Sequence, residues 1–151
     1  MMLNKSKVAQ MQVIDNVLGA RLHNAEQIFN CTDTALKNAK SELDSASIIT
    51  DETLEDWYAC LNDAFFDPVL TQAKAKIFLT ARKRHEDALQ LIKSAEKHRE
   101  SKRLDLLEAN YNVRQIREKI YDANRQIRLK KEEVSISDVK DLRDQRISQK
   151  C

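Results

Sequence analysis

Residues 8–46 read VAQMQVIDNVLGARLHNAEQIFNCTDTALKNAKSELDSA, and the spacing of their apolar side chains decides the fold. The apolar positions follow one another in alternating steps of three and four residues, interrupted by the polar side chains of Asp15 and Thr32. Such a repeat keeps one stripe of a helix against a partner helix, as in a coiled coil. The pattern therefore predicts a first helix over about residues 4–46. We call its stripe the first seam: Val8, Met11, Asp15, Leu18, Leu22, Ala25, Phe29, Thr32, Leu36, Ala39, Leu43 and Ala46.

The same spacing returns in the second half of the chain. The second seam comprises Phe78, Ala81, His85, Ala88, Ile92, Ala95, Arg99, Lys102, Leu106, Ala109, Val113, Ile116, Ile120, Ala123, Ile127, Lys130 and Val134. Because neither Gly nor Pro follows Pro68, the pattern predicts one helix over about residues 68–133, with residues 134–151 as a polar tail. Two seams joined by a bend predict an all-α, single-domain fold, an elongated antiparallel two-helix coiled-coil hairpin.

The composition excludes several other classes of protein. The chain of 151 residues contains 1 Gly and 1 Pro, whereas β-sandwiches and barrels need these residues at their turns. Phosphate-binding loops and dinucleotide-binding motifs need several glycines close together, so this chain contains neither. Charged residues make up 33% and aromatic residues 5%, which is typical of long, solvated helices.

Residues 47–67 interrupt the repeat and predict a bend. Thr50 favours a helix cap, and the two acids after it suit the positive end of a new helix. We therefore expect a short helix over about residues 51–64 within the bend. Asp67 followed by Pro68 predicts the start of the second long helix, because Asp caps an N-terminus and Pro is accepted at the first helical position.

The bend also concentrates acidic and aromatic residues. It holds six acids and no Lys or Arg, together with half of the eight aromatic side chains of the chain. These four aromatics are Trp57, Tyr58, Phe65 and Phe66. One interpretation is that they close the end of the hairpin and cover its last core layer. The other is that they form an acidic, aromatic docking surface.

Three charged residues interrupt the seams between residues 8 and 127: Asp15 in the first seam, and Arg99 and Lys102 in the second. If Ala46 lies opposite about Leu70, these three charges meet at one level of the hairpin. We interpret them as a polar layer that specifies the register of the two helices. The alternative is that the long Arg and Lys side chains extend out of the seam to water.

The same pairing leaves residues 112–134 beyond the end of the first helix, although their stripe is the most apolar part of the second seam. An uncovered apolar stripe requires a partner. The bases around it are Arg114, Arg117, Lys119, Arg125, Arg128, Lys130 and Lys131. Homodimerisation, a solvated basic face and insertion into another protein are all compatible with this overhang.

No catalytic, cofactor-binding or metal site is expected, because the three histidines have no ligand spacing and no nucleophile–base pair stands out. Cys31, Cys60 and Cys151 are odd in number and widely spaced, which favours a reducing cytoplasm over a disulfide framework. No apolar run approaches the roughly 18 residues of a membrane span, and no secretory signal is visible. The net charge is +2 and the bases are interleaved with acids, so we expect no nucleic-acid binding.

The layout resembles the FliJ/YscO family of type III secretion stalk proteins. Ser47-Ile48-Ile49-Thr50 running on to Trp57 is similar to the bend in the middle of that family, and Val134 to Gln149 is similar to its polar tail. The family consists of small cytoplasmic coiled-coil hairpins without enzymatic activity. The resemblance therefore implies a monomeric stalk in the cytoplasm, peripherally associated with the secretion apparatus at the inner membrane.

The resemblance also implies partners. Family members bind the central channel of the hexameric secretion ATPase, contact the cytoplasmic domain of the export gate and in some cases bind escort chaperones. By this resemblance the ATPase-facing residues are Val113, Ile116, Arg117, Ile120, Arg125, Ile127 and Arg128. The gate-facing residues are Trp57, Tyr58, Phe65 and Phe66. Whether the system is flagellar or a virulence system stays open.

Two other functions are compatible with the same sequence. A secretion chaperone would be a compact dimer that binds one exported protein. A structural homodimeric coiled coil would pair the apolar overhang with its own copy, so a dimer is the alternative to the expected monomer.

Overall fold

The computed structural model describes residues 2–150, with side chains from Lys5 onwards. Helix α1 spans Met2–Leu61 and helix α2 spans Pro68–Ser148, and no strand occurs among the described residues. The two helices pack against each other as an antiparallel hairpin, which confirms the predicted all-α fold. Contacts divide the chain into two units. We call Ala25–Leu106 the loop unit, and the residues up to Asn24 together with those from Leu107 onwards the terminal unit.

In the loop unit, two cross-helix contacts show the antiparallel pairing. The Thr50 hydroxyl oxygen lies 3.3 Å from the Ala81 carbonyl oxygen, and Arg99 Nε donates to Asp33 Oδ1 at 2.9 Å. The later residue of α1 thus contacts the earlier residue of α2. The seam residues Thr32, Leu36, Ala39, Ala46 and Ala81 are buried, and the other seam residues of this unit are half-buried. The seam predicted from the repeat is therefore the packed face.

In the terminal unit, the same arrangement is held by Arg117, whose Nε donates to Asp15 Oδ1 at 3.1 Å. Val8, Val113 and Ile116 are buried, and the other seam residues of the unit are half-buried as far as Ile127. The last two predicted seam positions, Lys130 and Val134, are exposed. The packed seam of α2 therefore ends at Ile127.

The predicted register is wrong. Ala46 was expected opposite Leu70, whereas Thr50, one turn further along α1, already lies beside Ala81. The displacement is about four helical turns. This displacement arises because α1 continues to Leu61 and only a short loop separates it from Pro68. The chain therefore reverses direction later than predicted.

The predicted polar layer of Asp15, Arg99 and Lys102 is wrong for the same reason. Asp15 pairs with Arg117, Arg99 pairs with Asp33, and Lys102 lies 3.4 Å from Asp105 on its own helix. Each of these two cross-helix ion pairs joins an acid of α1 to an arginine of α2, and a third joins Asp56 to Lys74. Ion pairs thus cross the seam at separate levels and with other partners than predicted, and all three are consistent with one register.

The predicted bend is also shorter in the structure, and the separate helix over residues 51–64 does not form. Residues 47–61 continue α1, and the threonine hydroxyl groups in this segment donate hydrogen bonds to backbone carbonyls of the preceding turn. The Thr50 hydroxyl donates to the Ala46 carbonyl at 2.7 Å, and that of Thr53 donates to the Ile49 carbonyl at 2.8 Å. Ser and Thr side chains satisfied in this way are compatible with a helix interior.

The predicted start of α2 is confirmed. Asp67 Oδ1 accepts hydrogen bonds from the backbone N–H groups of Val69 at 2.9 Å and Leu70 at 3.3 Å. Pro68 occupies the first position of the helix, where its missing N–H costs nothing.

The predicted end of the second helix near residue 133 is wrong, because α2 continues to Ser148. Serine costs a helix only about 0.5 kcal/mol, so Ser135 and Ser137 do not end it. Every residue from 128 to 148 is exposed. We call residues 128–148 the α2 extension.

Gly19 is the weakest helix former within α1, and it allows a direct test of the terminal unit. No heavy atom lies within 4 Å of the position that a Cβ would take at Gly19. We expect Gly19→Ala to raise the free energy of unfolding by about 1 kcal/mol, because Ala has the higher helix propensity. Urea unfolding followed by circular dichroism measures this change.

The matched control is Ala20→Gly, at an exposed neighbouring position. It should lower the free energy of unfolding by a similar amount. A destabilising Gly19→Ala would contradict the open surroundings of Gly19.

Candidate partner-binding surfaces

The predicted ATPase-facing stripe is mostly packed inside the molecule. Val113 is 4% exposed and Ile116 is 9% exposed, and Ile120 and Ile127 are half-buried. These four residues belong to the seam of the terminal unit, because the true register brings α1 alongside them. The overhang predicted over residues 112–134 is therefore wrong, and the uncovered part of the helix is the α2 extension.

The three arginines predicted for the same surface have different surroundings. Arg117 is engaged by Asp15, as described above. Arg125 is exposed. Arg128 is exposed and lies 4.0 Å from Glu132, one turn further along the helix. All three arginines are exposed, and Arg125 and Arg128 are the two that make no cross-helix ion pair in the described structure.

The α2 extension carries apolar side chains of its own, and of these the sequence pattern of the seam included only Val134. Leu129, Val134, Ile136, Val139, Leu142 and Ile147 are between 46% and 63% exposed. The step from Ile127 to Leu129 turns about 200° around the helix, so Leu129 faces away from the seam. Ile136 lies seven residues after Leu129, on the same side. That interval was a detectable signal, but it crossed the predicted boundary between the second helix, which holds Leu129, and the polar tail, which holds Ile136.

A second apolar surface surrounds the loop between the helices. We call residues 58–70 the tip. Phe65 is 90% exposed, and the other exposed apolar residues of the tip are Tyr58, Leu61, Phe66, Val69 and Leu70. The sequence pattern identified the three aromatics but not Leu61, Val69 and Leu70. These residues follow no helical repeat, because they lie at helix ends and in the loop.

Two carboxylates of the tip accept backbone hydrogen bonds. Asp63 Oδ1 accepts a hydrogen bond from the Phe65 N–H at 3.1 Å, and Asp67 caps α2 as described above. Phe65 and Phe66 lie between these two acids and are exposed. Asp56 adds negative charge nearby, partly offset by Lys74 at 3.7 Å.

Trp57 differs from the other three aromatics of the bend. It is half-buried and stacks on Phe78 of α2, with ring centroids 5.6 Å apart and an interplanar angle of 24°. Tyr58 stacks on Trp57 with ring centroids 6.1 Å apart, but Tyr58 is exposed. Trp57 thus closes the core of the hairpin, whereas Tyr58, Phe65 and Phe66 are accessible. The packing of Trp57 agrees with the first interpretation of the bend, and a docking role for Tyr58, Phe65 and Phe66 stays a prediction.

The ion pair of the loop unit has the clearest electrostatic signature. Hydrogen bonding to Lys37, whose Nζ lies 3.1 Å from Asp33 Oδ2, is the largest of the effects that lower the pKa of Asp33, and the nearby charges of Lys37 and Arg99 add to it. The Arg99 guanidinium also lies over the Phe29 ring, 5.4 Å from its centroid. Such cation–π contacts favour the charged arginine in the seam.

The described side chains contain no group of three or more His, Cys, Asp or Glu residues that could hold a metal ion. Neither helix, over its described length, is apolar enough to cross a membrane. No protein-family model matches the chain, and comparison with curated proteins and with solved structures gives no match.

The lowered pKa of Asp33 predicts a pH-dependent contribution to stability. A carboxyl whose pKa is lower in the folded state stabilises the fold above its ordinary pKa of 3.8. This contribution is lost as the pH falls through the folded-state pKa. We therefore expect Asp33→Asn to lower the free energy of unfolding near pH 7, and the difference from the wild type to shrink below about pH 4. Urea unfolding at several pH values measures the difference, and a pH-independent difference would contradict the prediction.

Proposed function

We propose that this chain is a non-enzymatic coupling protein that binds one protein partner through the α2 extension and another through the tip. In its most specific form, the proposal is a stalk component of a bacterial type III secretion system. It would bind the hexameric secretion ATPase, link it to the cytoplasmic domain of the export gate, and act in the cytoplasm at the secretion apparatus on the inner membrane. Escort chaperones are the third class of partner in this proposal.

The observation that carries the proposal is the α2 extension. Most of the stability of a helix in a protein comes from packing one of its faces, and isolated helices are marginal in water. The extension is helical to Ser148 although all its side chains are exposed, including six apolar ones. A protein partner that covers the extension supplies the missing packing.

The tip supports a second partner. Contiguous exposed apolar surface marks sites of protein interaction, and aromatic side chains contribute strongly to binding where they become buried. Phe65 and Phe66 are exposed between Asp63 and Asp67, whose carboxylates accept backbone hydrogen bonds in the tip.

The stalk hypothesis assigns the two surfaces to two proteins. The resemblance implies that the ATPase takes the end bearing the chain termini, which corresponds to Arg125, Arg128 and the α2 extension. It implies that the export gate takes the end bearing the bend, which corresponds to Tyr58, Phe65 and Phe66. Arg117 and Trp57 are left out of the proposed interfaces, since Asp15 and Phe78 already engage them.

The ATPase assignment is tested with purified proteins from one organism. The double variant Arg125→Glu, Arg128→Glu should weaken binding to the ATPase hexamer about tenfold or more, since it reverses two accessible charges, and should leave gate binding unchanged. Isothermal titration calorimetry measures both affinities. The control Lys83→Glu, Lys97→Glu makes the same charge change at exposed positions of the loop unit. The ATPase assignment would be refuted if both double variants lost the same amount of affinity for the ATPase hexamer, or if neither lost any.

The gate assignment is tested separately. The double variant Phe65→Ala, Phe66→Ala should weaken binding to the cytoplasmic gate domain about tenfold or more, because two exposed aromatic contacts are truncated. ATPase binding and thermal stability should stay at the wild-type level, since neither ring packs in the hairpin core. Unchanged gate binding would show that the tip is not the gate-binding surface.

A further inference from the structure

We propose that two copies of this chain pair with each other through the α2 extension, with the two extensions antiparallel. The interface is the face that points away from the seam. This inference goes beyond the coupling function and does not depend on it, since the isolated chain is sufficient to test it.

The face has the spacing of a short coiled-coil seam. Its positions recur in steps of three and four residues, and all of them are exposed. They are Leu129, Glu132, Ile136, Val139, Arg143 and Arg146. Ile147 and Leu142 lie on the two flanks of this stripe and add exposed apolar surface. α1 packs on the other side of α2, so the hairpin itself cannot cover this face.

The charges of the face argue against a parallel pair. In a parallel homodimer each position faces its own copy, so Glu132 would face Glu132, and Arg143 would face Arg143. Arg146 would likewise face itself. Like charges would then meet in three of the six layers. The other three layers, those of Leu129, Ile136 and Val139, would be the only favourable ones.

An antiparallel pair turns the same charges into attractions. With the twofold axis between Ser137 and Asp138, Ile136 faces Val139 of the second copy, and Glu132 faces its Arg143. Each of these contacts occurs twice because of the symmetry. The charge complementarity therefore commits the face to a second copy of this chain in one orientation.

The outer layers are also compatible with this pairing. Leu129 of one copy lies against the aliphatic stem of Arg146 of the other, whose guanidinium reaches solvent. Glu133 lies near Lys140 of the second copy at the edge of the interface. The apolar centre supplies the attraction, and the flanking ion pairs set the orientation.

Self-pairing has a consequence for the other partner of the extension. A side chain buried against a second copy cannot contact another protein at the same time. The paired form thus covers an apolar helix that would otherwise stay exposed in the free protein, and another protein that binds this face must displace the second copy.

The test is the oligomeric state of the full chain, measured by sedimentation equilibrium in reducing buffer so that cysteines cannot cross-link it. The wild type should show a concentration-dependent monomer–dimer equilibrium. Glu132→Arg and Arg143→Glu should each raise the dimer dissociation constant about tenfold, because two attractions per dimer become repulsions. The double variant Glu132→Arg, Arg143→Glu should return it to near the wild-type value.

Two controls make the same charge changes on the other side of the extension: Asp138→Arg matches Glu132→Arg, and Lys131→Glu matches Arg143→Glu. Both should leave the dissociation constant unchanged. Circular dichroism checks that each variant keeps its helix content, and every substituted side chain is exposed in the monomer.

The result that supports the proposal is rescue in the double variant together with silent controls. A chain that stays monomeric up to about 1 mM would overturn it. If the losses of dimer affinity caused by the two single substitutions added up in the double variant, the antiparallel orientation would be overturned. A dimer whose dissociation constant none of the variants changes would place the contact on another surface.

Discussion

The register of the two seams is the constraint on which the rest of the structure depends. The contact of Asp15 with Arg117 shows this register in the terminal unit, and that of Asp33 with Arg99 shows it in the loop unit. Because α2 is longer than α1, the register decides which part of α2 is covered and which is not. With Ile127 as the last half-buried seam residue, the α2 extension has no covering helix. A different register would leave the seam residues just before the α2 extension less buried. It would also change the two surfaces proposed for partners, the α2 extension and the tip.

The seam itself is long and shallow. Among the described residues no large side chain is completely buried, and several seam positions are Ala. Stability is therefore spread over many small contacts along the helices, in contrast to a globular core around a few large side chains. The seam also contains larger side chains such as Leu22, Phe29 and Ile92, but further large apolar side chains are exposed along both helices, at the tip and in the α2 extension. This exposed apolar surface is available to other proteins.

Much of the fold was predictable from local patterns, but the register was not. The repeat of Leu22, Phe29 and Leu36 identifies a seam, and Asp67 with Pro68 identifies a helix start. A seam that repeats every seven residues, however, matches almost equally well after a shift of one heptad. Asp33, which pairs with Arg99 across the helices, lies beside the seam and carries no repeat signal. Thr50 and Thr53 were equally ambiguous, because a hydroxyl can cap a helix or bond to its preceding turn. The candidate site was predicted only in part. The exposed face of the α2 extension follows from the register, and the register was not predicted correctly.

Disulfide trapping measures the register most directly. One turn from the contact between Thr50 and Ala81, Ala46 should lie beside His85. With the three native cysteines replaced by serine, the pair Ala46→Cys with His85→Cys should oxidise rapidly to an intramolecular disulfide. The pair Ala46→Cys with Leu70→Cys should not, because the two positions are about 20 Å apart along the helices and a disulfide needs Cα atoms within about 7 Å. Rapid trapping of the Leu70 pair without the His85 pair would contradict the register and the uncovered extension that follows from it.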